Sequence, residues 1–233
     1  MGLTAIILAG GFGTRLKHVV PDLPKPMAPI LGRPFLEYIM DYWINQGVSH
    51  FILSVGYQKQ VIMSHFSDEY NGASIEYSVE NEPLGTGGGL LKASKNLSDS
   101  FLLLNGDTFI EVNLNEMIDF HSNKKSDWTL SIIKLNQTDR YMGIEMNDNG
   151  KIISFTSTKD QKFQLANGGV YLINPSILKN KKLNHDIYMS LEDELLPELS
   201  ASGGNIFGIE CLGKFIDIGV PKDYFRAHDI LIN

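Results

Sequence analysis

The residues best suited to chemistry crowd near the start of the chain, where Leu8-Ala9-Gly10-Gly11-Phe12-Gly13-Thr14-Arg15-Leu16 is followed by Pro24-Lys25-Pro26-Met27. Glycines directly after an apolar run let the backbone approach a ligand closely and turn N–H groups toward phosphate oxygens. Arg15 can grip phosphate through paired hydrogen bonds, and Lys25, set between prolines in an extended segment, offers a positioned point charge. A polyphosphate site is the chemistry these residues predict. Other phosphate motifs fit poorly. A dinucleotide fingerprint needs glycine where Leu16 stands, and a P-loop counted from Gly10 places Arg15 at its second glycine. A glycine-rich turn with a solvated arginine and lysine is the plainer alternative, and the Pro-Lys-Pro spacing weighs against it.

Two aspartates stand out for what surrounds them. Leu102-Leu103-Leu104-Asn105-Gly106-Asp107 sets a carboxylate just past the end of an apolar strand, the edge at which open α/β sheets bind ligands. Gly106 lets the backbone come close to a substrate there. Phe215-Ile216-Asp217-Ile218-Gly219 puts an acid in a second apolar run, where it is costly unless paired, hydrogen-bonded or metal-bound. Each could instead cap a turn or a helix. Ser190-Leu191-Glu192-Asp193 reads as a capping box, which accounts for Asp193 and leaves Glu192 free to face either a pocket or solvent. The six histidines are scattered without metal-ligand spacing and read as surface or packing residues.

The elements that must position these residues alternate through the first half. Apolar runs at Thr4–Leu8, Phe51–Val55, Ser74–Val79 and Phe101–Leu104 predict buried strands. Helical patterns lie between them, opened by Pro34, at Gln58–Phe66 and near Gly89–Asn96, with another at Asn113–Asn123. This order predicts a mostly parallel sheet with helices on both faces. In the second half Trp128–Lys134, Gly143–Met146 and Lys151–Phe155 predict antiparallel strands, the last two joined by the hairpin signal Asp148-Asn149-Gly150. Strands at Gly169–Ile173 and Asn205–Glu210 frame a helix near Leu191–Leu199, and Pro221–Ile230 predicts a final helix. The fold class is therefore α/β, a three-layer sandwich with an antiparallel elaboration. With 233 residues and no linker or repeat, one domain over 1–233 is expected.

A formal net charge of −7 argues against a nucleic-acid partner, which rewards a basic surface. No run approaches the ~18 apolar residues of a membrane span, and the start lacks a signal-peptide pattern. The lone Cys211 excludes an internal disulfide framework. A cytoplasmic protein is expected.

The opening motif resembles the signature of the sugar-phosphate nucleotidyltransferases, and the likeness continues through most of the chain. It implies a Rossmann-like fold in which the segment containing Leu8, Ala9, Gly10, Gly11, Gly13 and Thr14 wraps a nucleoside triphosphate, neutralised by Arg15 and Lys25. It also implies that Asp107 and Asp217 hold Mg²⁺. In Glu80-Asn81-Glu82-Pro83-Leu84-Gly85-Thr86-Gly87-Gly88-Gly89 the likeness assigns Glu80, Gly85 and Thr86 to the nucleotide. On the sugar side it points to Gly106, Gly143, Asn167, Gly168 and Glu192. One departure stands out: relatives often carry Glu-Lys-Pro where this chain has Thr156-Ser157-Thr158-Lys159-Asp160, so Lys159 would serve the sugar phosphate from a shifted position.

Within the family the sequence is most similar to guanylyltransferases acting on D-glycero-D-manno-heptose 1-phosphate. The likeness implies transfer of GMP from GTP, in-line and without a general base, giving a GDP-sugar for cell-surface polysaccharide and pyrophosphate. Uridylyltransferases and other relatives acting on N-acetylmuramate, glucose or mannose 1-phosphate share much of the pattern. A silent relative that binds nucleotide sugars as a regulatory subunit is a reading of another class, disfavoured by the presence of Arg15, Lys25, Asp107 and Asp217 together. Any oligomer, such as a homodimer, is expected to use the catalytic domain's own surface.

Overall fold

Ala5, Ile6 and Ile7 are all fully buried. Successive residues of a strand face opposite sides, so the sheet that contains them is covered on both faces. The structure, a computed structural model, describes residues 2–135, 143–156, 164–179 and 187–232. In the first half β1 (Leu3–Leu8), a short ribbon of β2 (Pro29–Ile30) and β3 (Arg33–Pro34), and α1 (Phe35–Ile44) lead to β4 (Val48–Val55) and α2 (Lys59–Phe66). Next come β5 (Glu69–Tyr70), β6 (Ala73–Val79), α3 (Gly85–Ala93), β7 (Phe101–Asn105), β8 (Thr108–Ile110) and α4 (Leu114–Asn123). The second half holds β9 (Trp128–Leu135), β10 (Gly143–Met146), β11 (Ile152–Thr156) and β12 (Gln164–Ile173). It closes with α5 (Leu196–Ala201), β13 (Ile206–Glu210), β14 (Phe215–Asp217) and α6 (Pro221–Ile232).

The large sheet runs β11-β10-β12-β7-β1-β4-β6-β5, with β9 on β12 and β13 beside β9. Its centre, β7, β1, β4 and β6, is parallel, whereas β12 joins β7 antiparallel and begins the elaboration. One core packs Ala5, Ile7, Phe51 and Leu53 against Leu36, Met40 and Trp43 of α1, with Met117 of α4 and Ala227 of α6. The opposite core packs Ile6, Leu103 and Leu130 against Leu90 of α3 and Leu196 of α5. The expected α/β layering is therefore present, with helices on both faces.

The expected hairpin is formed by β10 and β11 in antiparallel register. Asn147 accepts at its side chain from the N–H groups of Asn149 and Lys151, both at 3.0 Å, and Gly150 follows at φ 81°. Three expectations need correction. The helix foreseen near Gly89–Asn96 starts at Gly85 and ends at Ala93. The segment around Lys25 is extended only at Pro24; Lys25–Met27 form one 3-10 turn. The helix near Leu191–Leu199 opens with π-type turns over Leu191–Leu195 before α5. No helix among the described residues is long and apolar enough to cross a membrane.

Leu103 is fully buried and sits in register between Ile6 of β1 and Tyr171 of β12. Leu103→Ala is expected to cost about 2–5 kcal/mol by lost transfer energy and cavity formation, read from urea unfolding. Ile153→Ala, at a 63% exposed position, is the control and should stay within about 0.5 kcal/mol. Equal midpoints for the two variants would contradict this packing.

Candidate active site

The parallel pairing of β1 with β7 brings Leu8 opposite Asn105, so the glycine loop and Asp107 leave the sheet at the same edge. The backbone beyond β1 is pinned there: Ala9 N–H donates to the Ser54 carbonyl at 2.8 Å, and Gly106 N–H donates to the Leu8 carbonyl at 3.0 Å. The second aspartate arrives by a separate route. Strand β14 pairs antiparallel with β8, setting Asp217 opposite Thr108, the residue after Asp107. Two carboxylates distant in sequence thereby flank one point.

That point is occupied by the Lys25 ammonium. It is hydrogen-bonded to Asp107 Oδ2 and lies 3.8 Å from Asp217 Oδ1. Its side chain is 10% exposed, so the charge is carried largely out of bulk water. Asp217 Oδ1 also accepts from the Gly219 N–H at 2.6 Å, and Asp107 Oδ1 accepts from the Thr108 hydroxyl at 3.2 Å. Desolvation works to raise the Asp107 carboxyl, and the charge and hydrogen bond of Lys25 outweigh it, holding the group below its ordinary range. Gly13, at φ 59°, makes the approach of the lysine possible: a Cβ there would stand 2.9 Å from the Lys25 Cβ.

The cleft around this cluster encloses about 710 Å³. Of the residues singled out from sequence, Leu8, Gly10, Gly11, Gly13, Thr14, Arg15 and Lys25 line it, as do Glu80, Gly85, Thr86, Asp107, Asn167, Glu192 and Asp217. Arg15 is exposed at its edge, with no hydrogen bond or ion pair among the described residues. Ala9, Gly106, Gly143 and Gly168 do not line it. Ala9, Gly106 and Gly143 are buried, and a Cβ on Gly168 would meet Ser131 Oγ at 2.6 Å. Lys159 lies outside the described residues. No role for Tyr188 or Thr108 is read from the sequence, and Phe12, Pro26, Asn105, Ser190, Phe215 and Gly219 stand in it only as neighbours within motifs; all line the cleft.

The glycine-rich segment after β6 is arranged differently from a loop laid open to a ligand. Gly87 and Gly88 donate to the Met189 carbonyl at 2.9 and 3.3 Å, and Met189 N–H donates to the Leu84 carbonyl at 2.9 Å. A Cβ on Gly85, at φ 70°, would come 2.5 Å from that Met189 oxygen. The glycines are there for close packing as much as for any ligand, and this stitching holds α3 helical where propensity alone would not. Glu80 is engaged too, accepting from Ser54 Oγ at 2.9 Å and from the Leu84 N–H at 3.0 Å.

The capping box forms with altered roles. Ser190 Oγ accepts from the Asp193 N–H at 3.1 Å, while the Ser190 N–H donates to the Glu194 carboxylate at 2.6 Å. Glu192 turns into the cleft, accepting from the Thr86 hydroxyl at 3.2 Å. No cluster of three or more histidine, cysteine or acidic side chains suited to a metal exists among the described residues. The cation-binding capacity here is that of two carboxylates, which suits Mg²⁺ where phosphate oxygens and waters complete the shell.

The cleft thus combines a glycine loop with exposed Arg15, a cation shared by two acids, and a second polar end around Glu192. Comparison with known proteins finds relatives that match this chain over nearly its whole length. A D-glycero-alpha-D-manno-heptose 1-phosphate guanylyltransferase of Aneurinibacillus thermoaerophilus is 40% identical over 226 residues, covering 97% of this chain and 96% of that protein. One of Campylobacter jejuni, with the same description, is 38% identical over 227 residues, covering 96% and 98%. The crystal structure of HddC from Yersinia pseudotuberculosis complexed with GMP-PN superimposes with a TM-score of 0.83 at 34% identity, covering 98% of this chain and 99% of that one. Residues 4–233, from the first strand through the last helix, match the nucleotidyl transferase family, and to that family this chain belongs.

Proposed function

We propose that the chain, acting as one nucleotidyltransferase domain, transfers GMP from GTP to D-glycero-α-D-manno-heptose 1-phosphate, forming a GDP-sugar and pyrophosphate. The observation that carries this reading is the Lys25 ammonium held between Asp107 and Asp217 beside the glycine loop. The choice of base and sugar is supported by full-length identity to two heptose 1-phosphate guanylyltransferases. The lone Cys211, which can form no internal disulfide, supports a reducing, cytoplasmic setting.

A phosphate oxygen of the sugar 1-phosphate attacks the α-phosphorus of GTP. The new O–P bond forms as the bond to the β-phosphate's bridging oxygen breaks, and the electron pair leaves with pyrophosphate. The nucleophile is already an anion near neutral pH, so the side chains need hold no proton for it. Their work is alignment and charge neutralisation. Backbone N–H groups of the Gly10–Thr14 loop receive the triphosphate, while Arg15 and Lys25 offset charge moving onto the leaving group. Asp107 and Asp217 would hold Mg²⁺, which supplies Lewis-acid polarisation of the phosphate oxygens when bound.

Pyrophosphate release, measured on a panel of nucleoside triphosphates and sugar 1-phosphates, is expected to be fastest with GTP and the heptose phosphate. Equal or faster release with UTP and glucose or N-acetylmuramate 1-phosphate would reject the assigned substrates. Asp107→Asn and Lys25→Ala should each lower kcat by at least ~100-fold, the scale of losing one electrostatic stabiliser. Near-normal rates from either variant, with an unchanged circular dichroism spectrum, would rule out its proposed role. Chelation with EDTA is expected to abolish turnover and Mg²⁺ to restore it, and Asp217→Asn should need more Mg²⁺ for its half-maximal rate. An EDTA-insensitive wild type would remove the metal from the reading.

A further inference from the structure

We propose that Tyr57 is a positioning residue whose ring latches the glycine loop in the shape that receives a triphosphate, which rests on the polyphosphate reading of that loop above. The loop faces a conflict of its own. Backbone N–H groups that are to meet phosphate oxygens cannot also be tied to the protein. Among the described residues, the N–H groups of Gly11 to Arg15 donate to no main-chain or side-chain acceptor. They are ready for a ligand, but the loop forgoes the bonds that normally fix a turn. Three glycines in four residues, Gly10, Gly11 and Gly13, add conformational freedom that ordering must overcome. The hold has to come from carbonyls and side chains.

Tyr57 supplies it from outside the cleft, on the connection between β4 and α2. Its main-chain N–H donates to the Gly10 carbonyl at 3.3 Å. Gly56 fits against the same carbonyl, where a Cβ would stand 3.2 Å from the oxygen. The Phe12 ring meets the Tyr57 ring in a tilted contact, 5.3 Å between centroids. Phe12 carries the only side chain between Gly10 and Gly13, so it is the one handle on that stretch. Beyond Arg15, the Lys17 ammonium stands over the same tyrosine ring, 5.8 Å from its centroid. That is inside the roughly 6 Å over which an aromatic face attracts a cation.

The loop therefore touches Tyr57 before, within and after its phosphate-facing run. Arg15 gains most from this. It has no partner of its own among the described residues, and it lies between Phe12 and Lys17 in the chain. With both held on one ring, the guanidinium stays at the cleft edge where the leaving group forms. The contact also accounts for a phenylalanine that is 53% exposed at a turn where a small residue would suffice. Tyr57 itself does not line the cleft, so it acts through the loop and touches no substrate.

Tyr57→Ala removes the ring and leaves the main-chain bond to Gly10. Trypsin cleavage after Arg15 and Lys17 should then quicken by about two- to tenfold, the scale of one aromatic contact, and GTP with Mg²⁺ should slow it again. GTP affinity, measured by calorimetry without acceptor, should fall by a similar factor, while the KM for the sugar 1-phosphate changes less than about twofold. Tyr57→Phe keeps the ring and should restore both readouts. Phe12→Ala should reproduce the loss and serves if Tyr57→Ala fails to fold, and the double variant should lose little more than the worse single. Unchanged cleavage in the loop, equally quickened cleavage after Lys124 in α4, or additive losses in the double variant would each overturn the latch. A wild type that binds no GTP rejects the polyphosphate reading instead, and the cleavage rates still decide whether Tyr57 holds the loop.

Discussion

Two ionised carboxylates repel each other in a partly desolvated cleft, and the Lys25 ammonium set between Asp107 and Asp217 offsets that repulsion. Each feature around it serves this arrangement. The parallel β1–β7 pair sends the glycine loop and Asp107 out at one edge. The β8–β14 pair returns Asp217 beside them. Pro24 caps, and Pro26 lies within, a single 3-10 turn that carries the lysine inward, and the missing Cβ of Gly13 lets it pass. The same geometry suits the proposed chemistry. A site that already balances two acids against one ammonium can exchange partners with metal and phosphate, without first gathering its charges.

From that centre, the character of the cleft changes with distance. Exposed Arg15 and the loop N–H groups favour anionic groups at one end, and Glu192 and Asp193 favour neutral donors at the other. A molecule carrying phosphate at one end and hydroxyls at the other has one electrostatically matched orientation. This offers a physical reason why Glu192, an acid beside the proposed phosphate site, is engaged by Thr86 and Tyr171. A mobile carboxylate there could swing to Arg15 or Lys25 and compete with the substrate.

How much of this was legible in the sequence followed from the range of the interactions. The central strands are apolar runs with clear ends, and Ala5, Ile52 and Leu103 announce burial on their own. The hairpin at Asn147–Gly150 is local chemistry and was read correctly from Asp148-Asn149-Gly150. The start of α3 was placed too late because glycine propensity argues for a loop over Gly85–Gly89. The contacts that override it come from Met189, far along the chain. Strands β8 and β14 have only three residues each, too few for a period to show, so the motifs suggested the meeting of Asp107 with Asp217 but no pattern predicted its register. Asn105 gave no sign at all. In sequence it is an ordinary residue before a glycine, and only the folded surroundings leave its carbonyl without a donor.

The stitching of Met189 to α3 has a consequence for how the two ends of the cleft work together. Met189 belongs to the second half of the chain, yet its backbone is bonded to Leu84, Gly87 and Gly88 of the segment after β6. Glu192, three residues on, is tied to the same segment through the Thr86 hydroxyl. In a reaction whose rate depends on bringing a phosphate oxygen in line with the α-phosphorus, small errors of placement are costly, and effective molarity falls quickly once alignment is lost. If Glu192 meets the sugar and the segment after β6 meets the nucleotide, as the family resemblance implies, these main-chain hydrogen bonds make that alignment a property of the scaffold. Side-chain flexibility then has less to spoil, and specificity for the acceptor becomes inseparable from the position of its phosphate.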